Sequence, residues 1–219
     1  LDIGANQTSN LTSNSTTLQK FTGANATVNV SNSATLERAN QPVLVNEQSG
    51  GTVTVESGST ISATVANTIQ GIDSANLTVT NSGTIQAGTS KAINLTDNEG
   101  ARVTNNAGGI IKSDTNTISL SENDEDVVDD IIITNHGTIF ATDNSDTSGH
   151  NVIKSSDGVT NLTINNEKGG HIYHGTDKAV ILLGGDAIFN NSGKIENQNN
   201  PTSNVITLSG TAGATLNLK

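Results

Sequence analysis

Apolar and polar residues alternate along this chain in short runs that end at small polar corners. In residues 77–85, the alternation passes through Val79, a corner follows at Asn81 and Gly83, and Ile85 opens the next run. An alternation with a period of two places successive side chains on opposite faces of a β-strand. This segment therefore predicts two short strands joined by a tight corner.

The same pattern returns along the chain at a nearly constant interval. The last inward-pointing residues before successive corners are predicted to be Val30, Val55, Val79, Val103, Ile133, Ile164, Phe189 and Leu218. Neighbouring positions in this series are 24 to 31 residues apart. A third apolar segment follows each corner, at residues 43–45, 65–69, 92–95, 117–120, 152–153, 179–182 and 205–208. Repeats of this length with strand alternation are typical of a solenoid.

These repeats predict an all-β fold, a right-handed single-stranded parallel β-helix with about seven to eight rungs and three short strands in each rung. Each strand then pairs with its equivalents in the turns above and below, about 4.8 Å away. Residues 25–219 are predicted to form one continuous β-helix domain. Residues 1–24 are weakly patterned and are predicted to be an N-terminal cap, with a frayed tail as the alternative.

Asparagine recurs at one position of the corner. The residues concerned are Asn81, Asn105, Asn135, Asn166 and Asn191. Asparagine tolerates left-handed backbone angles better than most residues, and identical amides stacked in register can hydrogen-bond from turn to turn. We interpret these residues as a structural ladder and not as ligand-binding groups.

One outward face of the predicted helix carries aromatic residues. The position after each corner's apolar anchor should point outward, so Phe140 and Tyr173 should stack on neighbouring turns. Exposed aromatics on a flat sheet are typical anchors for a protein or glycan partner. Around this pair we expect Lys112, His171, Lys194 and Glu196. The alternative is that residues 140–150 fold over the pair and bury it.

Composition narrows the classes of partner. Hydrophobic residues make up 32% of the 219 residues, aromatic residues make up 2%, and cysteine is absent. So polar a chain could be disordered, but disorder does not keep a register over many repeats. The net charge of −11 disfavours nucleic acid and anionic membranes, which both attract basic surfaces. No apolar run is long enough to span a bilayer.

The sequence offers no convincing catalytic or metal site. The acidic residues of segment 121–130 could bind calcium, but their spacing does not fit an EF-hand, and a solvated loop is the preferred interpretation. His171 and His174 are three residues apart in a strand and should point to opposite faces, so they are poorly placed to bind one metal ion together. No nucleophile with a base is recognisable. We therefore predict no catalytic residue, no metal ligand and no cofactor.

The repeated corner motifs resemble a known family. Asn-Ser-Gly-Thr-Ile at 81–85, Asn-His-Gly-Thr-Ile at 135–139 and Asn-Ser-Gly-Lys-Ile at 191–195 resemble passenger domains of bacterial type V autotransporters. The resemblance covers about residues 25–219 and implies secretion or display on the bacterial cell surface. It also implies that membrane contact would come only through a C-terminal translocator β-barrel outside this sequence. No Gly-Asp-Ser-Gly motif is present, which sets the serine-protease branch of the family aside.

The resemblance implies a role in adhesion or host-cell interaction. The expected partner is a host cell-surface protein or glycan, or another copy of the chain. The first alternative is a released ligand that binds and activates a host receptor, as angiogenic-factor-like passengers do. The second alternative is a β-helix enzyme that acts on polysaccharides. That enzyme would need clustered acids beside Arg or Lys on one strand face, and the only arginines are Arg38 and Arg102.

Overall fold

A computed structural model of the protein describes residues 1–122, 130–142, 150–176, 179–199, 204–209 and 213–219. Within these ranges the chain forms β-strands and no helix. In chain order the strands are β1 (Asp2–Ile3), β2 (Thr8–Leu11), β3 (Gln19–Phe21), β4 (Thr27–Val30), β5 (Thr35–Arg38), β6 (Leu44–Asn46), β7 (Thr52–Val55), β8 (Thr60–Ala63), β9 (Ile69–Ala75), β10 (Thr78–Asn81), β11 (Thr84–Ala87), β12 (Ile93–Glu99), β13 (Arg102–Asn105), β14 (Ile110–Ser113), β15 (Ile118–Ser121), β16 (Ile132–Asn135), β17 (Thr138–Ala141), β18 (Ile153–Ser155), β19 (Leu162–Asn166), β20 (His171–His174), β21 (Ile181–Leu183), β22 (Ala187–Asn191), β23 (Lys194–Asn197), β24 (Ile206–Leu208) and β25 (Thr215–Leu218).

The strands form three parallel sheets that wind into a β-solenoid of about 7 turns. Sheet A contains β1, β3, β6, β9, β12, β15, β18, β21 and β24. Sheet B contains β2, β4, β7, β10, β13, β16, β19, β22 and β25. Sheet C contains β5, β8, β11, β14, β17, β20 and β23. Each turn of the chain visits sheet A, then B, then C, so the predicted parallel β-helix with three strands per turn is confirmed.

The core is a set of buried columns that run through the interior. Val79 of β10 pairs with Val53 of the turn below and Val103 of the turn above, and Val103 pairs with Ile133. All four side chains are buried. Strand alternation turns every second residue inward, so equivalent apolar residues of successive turns meet and exclude water together.

The predicted register is wrong in the first turns. Val30 and Val55 were expected in the column of Val79, but Val30 pairs with Val55, and Val55 pairs with Asn81. The column of Val79 contains Val28 and Val53 instead, and at the other end Phe189 pairs with Leu216 and not with Leu218. The last inward position of the strand is apolar in the early turns, Asn from Asn81 to Asn191, and apolar again at Leu218 in the last turn. Counting to the last apolar residue therefore shifts the alignment by two residues.

Two other expectations concern strand placement. Residues 1–24 contain β1 to β3, with β1 paired to β3 and β2 paired to β4, so β1 and β2 form the first level of sheets A and B and β3 begins the second level of sheet A. Its role as a cap stays a prediction. Segment 65–69 is not a strand throughout, because Val65 is 50% exposed and β9 begins only at Ile69.

Left-handed backbone angles occur at the corners and not in the asparagine ladder. The corners before the first seven strands of sheet B have φ between 51° and 74°, at Asn6, Asn25, Gly50, Asn76, Gly100, Asp130 and Asn161. The ladder residue Asn81 is the last residue of β10, and none of its four equivalents has a positive φ. The left-handed rationale for the ladder is therefore wrong, because a strand position needs extended angles. Among the described residues, no helix has the length and apolar character needed to cross a membrane.

Candidate partner-binding surface

The six residues predicted around the aromatic pair lie together on the outward face of sheet C. Four neighbouring strands, β14, β17, β20 and β23, carry them. The first outward column aligns Lys112, Phe140, Tyr173 and Glu196 on successive turns. The second column aligns Thr138, His171 and Lys194. We use the name aromatic patch for the side chains of Lys112, Phe140, His171, Tyr173, Lys194 and Glu196.

The sequence places this patch on the surface through strand alternation. In β17 and β20, Ile139 and Ile172 are fully buried, and the residues that follow each of them are half-buried. His171 points outward and His174 is buried, so the two histidines face opposite sides of the sheet. The buried isoleucines fix the strands to the core, and the patch therefore rests on an ordered support.

The two aromatic rings stack on each other. The ring centroids of Phe140 and Tyr173 are 4.7 Å apart with an interplanar angle of 7°. The ring of His171 lies 4.6 Å from that of Tyr173, tilted by 36°. Because the stacked rings come from successive turns, each covers one face of the other. Stacking of this kind adds about 0.5 to 1.5 kcal/mol beyond the burial of area.

Charged groups enclose the Tyr173 end of the patch. One carboxylate oxygen of Glu196 lies 2.9 Å from His171 Nε2, and the other lies 2.6 Å from Lys194 Nζ. The hydrogen bond from Lys194 is the largest cause that holds the pKa of Glu196 below its usual value. Partial burial, and secondarily the negative charge of Glu196, raise the pKa of Tyr173. The patch thus combines an apolar stack with fixed charges of both signs.

A shallow polar groove continues the patch toward the N-terminal turns. The groove has a volume of about 330 Å³, and its lining includes Glu37, Ser62, Gln86, Lys112 and Asp114. Gln86 Nε2 donates a hydrogen bond of 3.1 Å to Ser62 Oγ. Lys112 belongs to both features, so they form one continuous face. The groove residues Glu37, Ser62 and Asp114 were missed in the sequence, although the first two follow from extending the Lys112 column to earlier turns.

The asparagine ladder lies inside the solenoid, away from this face. Asn81 Nδ2 donates to Asn105 Oδ1 at 2.8 Å, and the chain of amides continues through three more bonds of 2.9, 2.9 and 2.7 Å to Asn191. Corner backbone groups complete the pattern, since Gly83 N donates to Asn81 Oδ1 and Asn105 Nδ2 donates to Gly109 O. These amides already have partners within the chain, which suits a structural role.

Two expectations fall on residues outside the described ranges. Whether residues 140–150 cover the aromatic pair depends on 143–149, which lie outside them. The candidate calcium segment 121–130 is likewise described only at residues 121, 122 and 130. Within the described part of the chain, no group of three or more His, Cys, Asp or Glu could hold a metal ion.

The fold and this face define a parallel β-solenoid protein with a mixed aromatic and polar outer surface. No protein family, curated protein or solved structure matches the chain. Its function therefore has to be argued from its own residues.

Proposed function

We propose that the chain is the secreted or surface-displayed passenger of a bacterial autotransporter and acts as an adhesin. In this proposal the aromatic patch on sheet C attaches to a protein or glycan on the host-cell surface. The single observation that carries the proposal is the stacked pair Phe140 and Tyr173, half-buried on the outward face of a regular sheet.

The distribution of aromatic residues supports this proposal. The chain has three phenylalanines, one tyrosine and no tryptophan. Phe21 and Phe189 are fully buried in the core, whereas Phe140 and Tyr173 share one outward site. Large aromatic side chains are favoured anchors at interfaces because they bury much area at a small cost in conformational entropy. A chain that uses so few aromatics places half of them on a single surface.

The electrostatics of the patch favour binding over acid–base catalysis. A carboxyl group that acts as a general acid near neutral pH needs a raised pKa. Here the pKa of Glu196 is lowered by Lys194 and His171, so its carboxylate is a fixed negative charge. Fixed charges around an apolar centre orient a partner, which is the usual arrangement of a binding surface.

The test compares binding of the purified, fluorescently labelled chain to cultured mammalian cells with that of a Phe140→Ala/Tyr173→Ala variant. We expect the variant to bind about tenfold or more weakly, because truncation of a central aromatic commonly costs about 2 kcal/mol or more. The matched control is Ile188→Ala, which removes an apolar side chain, 44% exposed, from sheet B. Equal binding by the double variant and the parent chain would contradict the proposal.

A second arm of this experiment separates the two classes of partner. Cells are treated with a protease or with glycosidases before the labelled chain is added. Loss of binding only after protease treatment identifies a protein partner, and loss after glycosidase treatment identifies a glycan. Because Tyr173 is the only tyrosine and tryptophan is absent, its intrinsic fluorescence should also change when a purified glycan, which has no fluorescence of its own, occupies the patch.

A further inference from the structure

The corner between sheets A and B carries a row of exposed asparagines. Asn6, Asn25, Asn76 and Asn161 are exposed and have φ of 56°, 56°, 59° and 51°. The strand register proves that they occupy one position, since the residues two places further on align from Thr8 to Ile188 in sheet B. The remaining members of this column are Gly50, Gly100, Asp130, Asp186 and Gly213.

Each asparagine of this column is followed two residues later by threonine. The segments are Asn6-Gln7-Thr8, Asn25-Ala26-Thr27, Asn76-Leu77-Thr78 and Asn161-Leu162-Thr163. Asn-x-Thr, with x other than Pro, is the acceptor sequence for N-glycosylation. We propose that these four asparagines are N-glycosylated, so that a row of sugars lies along the edge between sheets A and B. This inference is independent of the adhesive function proposed above.

Backbone preferences alone explain the asparagines but not the threonines. A left-handed corner favours Asn, Gly or Asp, and the column contains only these residues. The strand position two residues later also accepts other side chains. It is threonine after Gly50 and Gly213, but it is Arg102 after Gly100, Ile132 after Asp130 and Ile188 after Asp186. Threonine therefore accompanies all four asparagines of the column but only two of its five other members.

Glycine in the neighbouring turns leaves space beside two of these asparagines. A Cβ added at Gly50 would come within 2.1 Å of Asn25 Oδ1, and one added at Gly100 would come within 2.5 Å of Asn76 Oδ1. The absence of a side chain at these glycines lets the asparagine amides lie over them at the surface, where Asn25 Nδ2 donates an exposed 3.3 Å hydrogen bond to Asn6 Oδ1. A modifying enzyme needs this access, because the acceptor nitrogen must reach a bound sugar donor.

The chain has five further Asn-x-Ser/Thr segments outside this column, of which those of Asn10 and Asn14 are also exposed and that of Asn29 is partly buried. The two remaining segments lie at buried or partly buried strand positions. Asn94, in Asn94-Leu95-Thr96, is a buried residue of β12. Asn190, in Asn190-Asn191-Ser192, lies in β22 and donates a 2.8 Å hydrogen bond to Asn165. Because these amides sit in strands, they are internal controls for the exposed corner.

The modification is a group transfer from an activated sugar. Asn Nδ2 forms a bond to the anomeric carbon of a nucleotide- or lipid-linked sugar phosphate, and the bond from that carbon to the phosphate oxygen breaks. The phosphate group leaves with the bonding electron pair, and the amide nitrogen loses one proton to a base of the transferase. The chain supplies only the acceptor. In a solenoid with three sides, the edge between sheets A and B is opposite sheet C, so the sugars would leave the aromatic patch uncovered.

The test is peptide mapping by mass spectrometry of the chain isolated from the cells that naturally produce it. We expect sugar mass on a majority of the peptides that carry Asn6, Asn25, Asn76 and Asn161, and none on those that carry Asn94 or Asn190. Sugar on a minority or on none of the four corner asparagines overturns the inference, and so does equal modification of Asn94 or Asn190.

Two variants produced in the same cells test whether the threonine matters. Thr78→Ala should abolish modification of Asn76, whereas Thr78→Ser keeps the hydroxyl group and should retain it. Modification of the other three corner sites reports that each variant has folded. Unchanged modification of Asn76 in Thr78→Ala would mean that the transferase does not recognise the Asn-x-Thr sequence, and would contradict the inference.

Discussion

At the scale of single residues, asparagine has two different roles in this protein. In the corners before sheet B, Asn25 and Asn76 adopt left-handed angles that most residues avoid. In the ladder, Asn105 and Asn135 have ordinary strand angles and hydrogen-bond to their equivalents. The sequence revealed both properties of asparagine but assigned them to the same residues. Residue type alone does not determine the backbone angles, so only the structure separates the corner asparagines from the ladder asparagines.

Tyr173 gives a spectroscopic test of the electrostatics of the patch. Its burial and the charge of Glu196 raise its pKa above 10.0. Since folding favours the protonated phenol, this contribution to stability is present below pH 10.0 and is lost as the pH rises through the folded-state pKa. We expect an absorbance titration of the single tyrosine to have its midpoint above 10.0, and Glu196→Gln to lower that midpoint without restoring it fully.

The control for this titration is Glu47→Gln. Glu47 directly follows β6 of sheet A and pairs with Lys20 at 3.0 Å. Glu47→Gln therefore changes the net charge by the same amount as Glu196→Gln without altering the patch. We expect no shift in the midpoint for this variant. A midpoint at the ordinary value in the parent chain, or equal shifts for both variants, would show that Glu196 does not act on Tyr173.

At the scale of strands and ladders, the alternation of the sequence predicted the elements well and their exact alignment less well. Each strand that bears a corner motif was recognisable because a buried apolar residue stands between two outward residues, as Val79 does in β10 and Val103 does in β13. The alignment failed at Val55, where the last inward position changes from valine to asparagine in the next turn. In the sequence alone, a polar residue at an inward strand position cannot be told apart from the first residue of a corner. Its hydrogen bond to the equivalent residue of the next turn, which only the structure shows, assigns it to the strand.

The ladder makes a testable contribution to stability. Asn135→Val should lower the free energy of unfolding by about 2 to 6 kcal/mol, because two buried polar groups lose their partners at about 1 to 3 kcal/mol each. These groups are Asn166 Oδ1, which accepts from Asn135, and Gly137 N, which donates to it. Urea denaturation of the variant and the parent chain measures the difference.

The matched control is Asn165→Val on the outer face of sheet B. Asn165 Oδ1 accepts a 2.8 Å hydrogen bond from Asn190, but both side chains are only partly buried. Water can replace this bond, so we expect a loss below about 1 kcal/mol. Equal losses for Asn135→Val and Asn165→Val would remove the argument that burial makes the ladder important.

At the scale of the whole molecule, one rule connects the core, the ladder, the modified edge and the aromatic patch. Like positions of successive turns become neighbours, so a residue's surroundings follow from its equivalents one turn away. This rule allowed Phe140 and Tyr173 to be paired from sequence. In the groove beside Lys112, Asp114 could not be placed in this way, because it lies beyond the end of β14. Side chains in corners do not follow strand alternation and cannot be placed by it.

The direct stacking of turns in this register is tested most directly by disulfide trapping. The chain has no cysteine, so pairs can be introduced without background. Thr54 and Thr80 align on neighbouring strands of sheet B, which lie about 4.8 Å apart, within the range of about 4.4 to 6.8 Å that a disulfide spans. Thr54→Cys/Thr80→Cys should therefore oxidise readily. Thr54→Cys/Thr78→Cys, displaced by two residues, and Thr54→Cys/Thr104→Cys, two turns apart, should stay reduced. Preferential oxidation of either of these two pairs would contradict the account.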